Sequence, residues 1–111
     1  MRKVKGVLFT GESGEDYFFE IYPKGTTFKN IGAVYIFIKK ILNSSGKPSY
    51  EPLYIGESSE LGERIKNHNK EKCVEKNGYT HICILPIEEE KHRLEIESDL
   101  IHKCNTPCNK Q

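Results

Sequence analysis

The sequence predicts one small mixed α/β (α+β) domain, built from antiparallel strands with helices between and after them. Three observations predict it. The chain has 111 residues, 36% hydrophobic and 30% charged, which supports a single core. Five short runs rich in β-branched and aromatic residues are bounded by Gly, Pro, Asn and Ser. Two further segments carry apolar residues at helical spacing.

Residues 4–9 alternate and read as a strand, GESG at 11–14 is turn chemistry, and residues 16–22 (DYFFEIY) read as a second strand. Residues 1–30 therefore form an N-terminal hairpin extension, and residues 31–111 form the core of the same domain. Residues 33–39 (AVYIFIK) are apolar at nearly every position, so they predict a central strand covered on both faces. Residues 42–52 (LNSSGKPSYEP) read as a loop, and residues 53–55 return as a strand. One polar loop implies antiparallel pairing, which puts Tyr35 and Tyr54 in neighbouring strands.

A helix then starts near Ser58 or Ser59, either of which can cap it, with Glu60 in the first turn, and runs to about Lys70. Leu61 and Ile65 mark its buried face, and Arg64 and His68 sit one turn apart at the boundary of that face. Asn77-Gly78 is a stop. Residues 79–85 (YTHICIL) form another strand, ended by Pro86. Glu88, Glu89 and Glu90 suit the positive end of a second helix, whose apolar face is Leu94, Ile96, Leu100 and Ile101 and which Pro107 ends.

No apolar run is long enough to cross a bilayer, so no membrane partner is expected. The N-terminus lacks the apolar core of a signal peptide, so a cytoplasmic chain with reduced thiols is the simpler expectation. A net charge of +1 does not by itself mark a nucleic-acid binder. Lys66, Lys70, Lys72 and Lys76, with Arg64 and His68, do concentrate positive charge in one segment. Cys73, Cys83, Cys104 and Cys108 lack paired C-x-x-C spacing, which leaves a zinc-binding structural protein as a minor alternative to buried or free thiols. Neither a G-x-S-x-G elbow nor a phosphate-binding G-x-x-x-x-G-K-[ST] loop occurs.

Taken alone, Tyr35 and Tyr54 read as core aromatics, and Gly56 marks either a positive φ or a close backbone approach. Glu97 leans toward the buried side of the last helix, so it needs a partner: Arg93 one turn earlier, or a metal. Glu95 and Asp99 read as solvent-facing.

In order, the chain carries Ala33-Val34-Tyr35, Tyr54-Ile55-Gly56, Arg64 ten residues after Tyr54, His68, Glu97 four residues before Ile101, and Pro107-x-Asn109. Over residues 33–109 this set resembles the GIY-YIG nuclease family. The resemblance implies a GIY-YIG-type domain: a central three-stranded antiparallel sheet flanked by helices, with the N-terminal hairpin added. It implies that Glu97 holds one Mg²⁺ (or Mn²⁺) and that Arg64 binds the scissile phosphate. Tyr35 would accept a proton from the attacking water or orient it, Tyr54 would support water and phosphate, and His68 would contact phosphate or tune a tyrosine. Gly56, Lys66 and Lys70 would border the substrate, and Asn109 would tie the C-terminus to the core. The implied function is a metal-dependent endonuclease acting on DNA that is branched, nicked or single-stranded, with a protein partner or a homodimer supplying what one domain lacks. The other reading is a catalytically idle nucleic-acid-binding or protein-interaction module. Three features depart from the family pattern: Ala33 replaces a glycine, Tyr35 and Tyr54 stand 19 positions apart, and Glu57, Glu60 and Glu63 lie beside the phosphate path.

Overall fold

In the structure, a computed structural model describing residues 6–109, the β-rich runs join into one sheet. Its strands are β1 (Gly6–Thr10), β2 (Asp16–Pro23), β3 (Ala33–Leu42), β4 (Pro48–Ser58) and β5 (His81–Pro86). All pairings are antiparallel, in the order β1-β2-β5-β3-β4. The N-terminal hairpin is not a separate appendage, because β2 pairs with β5 and makes a sheet of five strands. The expected start of the first strand at Val4, and the N-terminal charges, lie outside the described residues.

β3 is the central strand that its composition predicts, with residues 33–38 all buried. Its side chains alternate between two core layers. Val34, Ile36 and Ile38 meet Phe9, Phe19 and residues Ile96 and Leu100 of α3 (Glu90–Lys103) on one face. Tyr35 and Phe37 meet Leu61 of α1 (Leu61–Lys66) and Val74 of α2 (Glu71–Lys76) on the other. The mixed α+β class is as expected, with helices on both faces of the sheet.

β4 is longer than expected, and the polar loop shrinks to residues 43–47. Pro48 and Pro52 read as strand breakers, but β4 lies at the sheet edge, where a missing N–H costs no ladder bond. A bulge absorbs the extra residue: Phe37 faces Tyr54, whereas Ile38 faces Pro52.

The single helix expected from Ser58 or Ser59 to Lys70 is two short helices, broken at 67–70. Neither serine caps it: Ser58 ends β4 and its hydroxyl accepts from the Glu60 N–H at 2.9 Å. The first turn is held from outside instead. Leu61 N–H donates to the Ile31 carbonyl, Gly62 N–H to Lys29, and Glu63 N–H to Asn30 Oδ1 at 2.7 Å. At the break His68 is buried, and its Nδ1 accepts from the Lys70 N–H at 3.0 Å, a local bond that a continuous helix, with that N–H turned back to residue 66, would not make.

On α3 the apolar face is narrower than expected: Ile96 and Leu100 are buried, Ile101 is half-buried, and Leu94 is 46% exposed. Arg93 takes the buried place instead. Asp99 faces solvent in part, as expected, yet it is fully engaged: it accepts from Ser13 N–H (2.8 Å), Ser13 Oγ (2.7 Å) and Tyr17 Oη (2.7 Å) and so staples the hairpin turn to α3.

The expectation of reduced thiols also fails for one pair. Cys73 on α2 and Cys108 in the closing 3-10 turn (Pro107–Asn109) form a disulfide, while Cys83 is buried and Cys104 half-buried as free thiols. The four-cysteine zinc alternative therefore has no ligand set. Among the described residues no helix is long and apolar enough to cross a membrane.

Candidate functional site

The paired strands β3 and β4 place Tyr35 opposite Gly56 and Phe37 opposite Tyr54. A Cβ on Gly56 would stand 2.6 Å from Tyr35 Cζ and Oη and 2.9 Å from Tyr54 Cε2. Gly56 is thus required by a close approach, not by a positive φ: the third residue of Tyr54-Ile55-Gly56 is small because two phenol rings lie over it. His68 completes the cluster, with its ring 5.4 Å from that of Tyr35 and 5.0 Å from that of Tyr54.

His68 is 6% exposed and its two nitrogens have fixed roles. The Lys70 backbone N–H donates to Nδ1 at 3.0 Å, so Nδ1 carries no proton. Nε2 must then hold the proton and donate it to Tyr35 Oη, 2.7 Å away. Burial, followed by the charges of Arg64 and Lys70, pushes the His68 pKa down to about 4, so the imidazole is neutral at ordinary pH. Tyr35, only 1% exposed, is held well above the usual tyrosine range, first by burial, then by Tyr54. Arg64 opposes that shift, while Glu97 and Glu57 add to it. The Tyr54 pKa is raised by burial and Glu97 and is lowered by Arg64 and by a hydrogen bond with Tyr35.

Arg64 is exposed on α1 and Glu97 is half-buried on α3. Burial and then Glu57 raise the Glu97 pKa, and Arg64 lowers it. Among the described residues neither Arg64 nor Glu97 makes a salt bridge. Of the two partners open to Glu97, the Arg93 ion pair does not form. Arg93, 2% exposed, donates from Nε to Glu57 Oε1 at 2.8 Å and from Nη1 to the carbonyls of Ile87 (3.1 Å) and Glu88 (2.6 Å). The guanidinium fits only because residue 32 is glycine, whose Cβ would lie 2.5 Å from Nη1. A helical arginine reads as surface, so nothing in the sequence marked Arg93 as the partner of Glu57.

Asn109 does tie the C-terminus to the core. Its Oδ1 accepts from the Ile55 N–H at 2.8 Å and its Nδ2 donates to the Ile55 carbonyl at 2.9 Å. The side-chain amide thereby completes the free edge of β4 between Tyr54 and Gly56.

The expected basic patch divides. Lys66 lines a 540 Å³ groove with Phe28 and Tyr79, away from Arg64. Lys70, Lys72 and Lys76 line a separate 590 Å³ groove. Arg64 lies in a third, of 440 Å³, among Glu57, Glu60, Glu63 and Glu90. The arrangement thus brings Tyr35, Tyr54, Gly56 and His68 into contact, sets Arg64 and Glu97 within their electrostatic reach, and leaves Lys66 apart.

Glu97 offers a hard oxygen donor that burial and Glu57 make costly to leave charged and alone, which suits a Mg²⁺ or Mn²⁺ ion. Among the described residues no three His, Cys, Asp or Glu side chains gather into a ligand cluster. A cation there would be held by Glu97 and would need solvent and phosphate oxygens for most of its coordination.

No family model, curated protein or solved structure matches the chain.

Proposed function

We propose that this protein is a metal-dependent endonuclease of the GIY-YIG type that hydrolyses DNA phosphodiester bonds. On this reading β5-β3-β4 is the three-stranded nuclease sheet and β1-β2 is an addition to its edge. The observation that carries the reading is the cluster in which His68 Nε2 lies 2.7 Å from Tyr35 Oη and both tyrosine rings close over Gly56, with Arg64 and Glu97 acting on it and making no salt bridge among the described residues.

Water adds to phosphorus while the bond from phosphorus to one sugar oxygen breaks; the water gives up a proton and the departing oxygen gains one. Arg64 donates hydrogen bonds to the non-bridging oxygens, where negative charge grows. His68 keeps Tyr35 in place by donating Nε2–H to its oxygen, and the Tyr35 O–H, which is otherwise shared with Tyr54, would turn to orient the water. Burial holds the proton on Tyr35, so it becomes a base only when positive charge beyond Arg64 enters the site. A divalent cation held by Glu97 would supply that charge beside the phosphate. Tyr54, half-buried, hydrogen-bonds with Tyr35 and would support the phosphate.

The test is incubation of the purified protein with supercoiled, nicked, branched and single-stranded DNA, in Mg²⁺ or Mn²⁺ and in EDTA. Cleavage that depends on the cation supports the reading. DNA that is bound but never cut favours the idle module, and the absence of both binding and cleavage defeats the proposal. The expected cytoplasmic setting has its own check, because the Cys73–Cys108 disulfide suits an oxidising compartment. Protein prepared without reductant and then denatured should titrate two free thiols rather than four.

A further inference from the structure

Two grooves of opposite charge meet at Asn69, which lines both. On one side Arg64 is surrounded by acids. Glu57 is offset by Arg93, but Glu60, Glu63 and Glu90 are exposed and make no salt bridge among the described residues. On the other side, Lys72 and Lys76 are exposed beside half-buried Lys70, and neither Lys72 nor Lys76 is in a salt bridge among the described residues. α2, which carries Lys72 and Lys76, is fixed rather than loose. The disulfide holds it to the closing turn, and Asn77 Nδ2 donates to the Cys73 carbonyl at 2.8 Å.

We infer that the substrate has phosphates on only one side of the bond that is cut: a strand that runs over the lysine groove and stops, at an end or a nick, where the acids begin. The inference rests on the nuclease reading and narrows it to cutting beside a strand end or a nick, so that closed supercoiled DNA should be the poorest of the substrates tried. A polynucleotide places a charge at every residue, so a continuous strand through Arg64 would press its next phosphates against Glu60, Glu63 and Glu90. Like charges at that spacing oppose binding, whereas a strand that terminates there leaves them solvated. The acids beside Arg64 thereby act as a specificity wall and leave the single arginine for the one phosphate at the end of the track.

The probe is a fluorescent single-stranded oligonucleotide, in linear form and as a covalently closed circle of the same sequence. Binding in EDTA reads the track without cleavage. The linear form should bind about tenfold tighter than the circle, with a log–log salt slope near about −2 for phosphate contacts from Lys72, Lys76 and Arg64. With Mg²⁺ present, cuts should fall close to one end. Glu60→Gln with Glu63→Gln and Glu90→Gln should raise binding of the circle to that of the linear form. Lys72→Gln with Lys76→Gln should weaken the linear form and reduce the slope by about 1 to 1.5. Unchanged thermal melting confirms that these exposed substitutions leave the fold intact. Equal binding of circle and linear form by the unaltered protein overturns the inference, as does a triple glutamine variant that leaves their ratio unchanged. End-preferring binding without any cleavage would keep the one-sided track and sink the nuclease.

Discussion

Replacing His68 with Phe should change how stability depends on pH, because the buried imidazole is locked in its neutral form. Both nitrogens are committed: Nδ1 accepts from Lys70 N–H and Nε2 donates to Tyr35. A second proton on Nδ1 would face another N–H donor. The folded pKa is therefore near 4, against an ordinary value of 6.5 in the unfolded chain. Above the unfolded value neither state holds the extra proton, and the interaction contributes fully. As pH falls below it, only the unfolded chain takes up the proton, so stability drops until the folded pKa is passed. At about pH 4.5 the loss reaches roughly 2.5 kcal/mol, and it levels off near 3 kcal/mol at lower pH. His68→Phe lacks this loss but leaves the Tyr35 hydroxyl without its donor, which costs about 1–3 kcal/mol at neutral pH. Urea unfolding of both proteins at several pH values gives the difference directly. The parent should be the more stable at neutral pH, with its advantage shrinking or reversing near about pH 4.5. An advantage that stays constant across that range would refute the assigned tautomer and the burial argument together.

Other substitutions probe the same frame. Gly56→Ala should cost about 1–3 kcal/mol by overpacking and displace Tyr35 from His68, seen as a lower melting temperature and a changed His68 imidazole signal. Gly32→Ala should cost a similar amount through the Arg93 guanidinium, and pairing it with Glu57→Gln should give less than additive loss, since both act on the same ion pair. Asn109→Ala should strip the Ile55 backbone of both partners, at about 1–3 kcal/mol, with the Ile55 amide becoming the locally most accelerated site in hydrogen exchange along β4.

The strands were legible because their residue types are local signals: AVYIFIK reads as a doubly covered strand whatever surrounds it, and one polar loop suffices to make Tyr35 and Tyr54 neighbours. What stayed hidden depends on contacts distant in sequence. Pro52 reads as a loop until its strand is known to be an edge. The helical spacing of Leu61 and Ile65 gives no sign that His68 must leave the helix to meet Tyr35, 33 residues away. Asp99 looks like any acid on a helix, because its partner Ser13 is 86 positions off. Arg93 stands one turn from Glu97 along α3, so spacing along the helix offers it Glu97 as a partner, whereas its actual partner Glu57 arrives from β4. That pairing sharpens the site, because it accounts for one of the acids beside Arg64 and leaves Glu97 without a salt bridge among the described residues.

The most direct measurement of the central claim is the single-turnover rate of DNA cleavage in Mg²⁺ for the parent protein, Arg64→Ala and Glu97→Gln. Far-ultraviolet circular dichroism would establish that all three are folded. The account predicts cation-dependent cleavage by the parent and a fall of at least about 100-fold for each variant. Cleavage at the parental rate by either folded variant would contradict it.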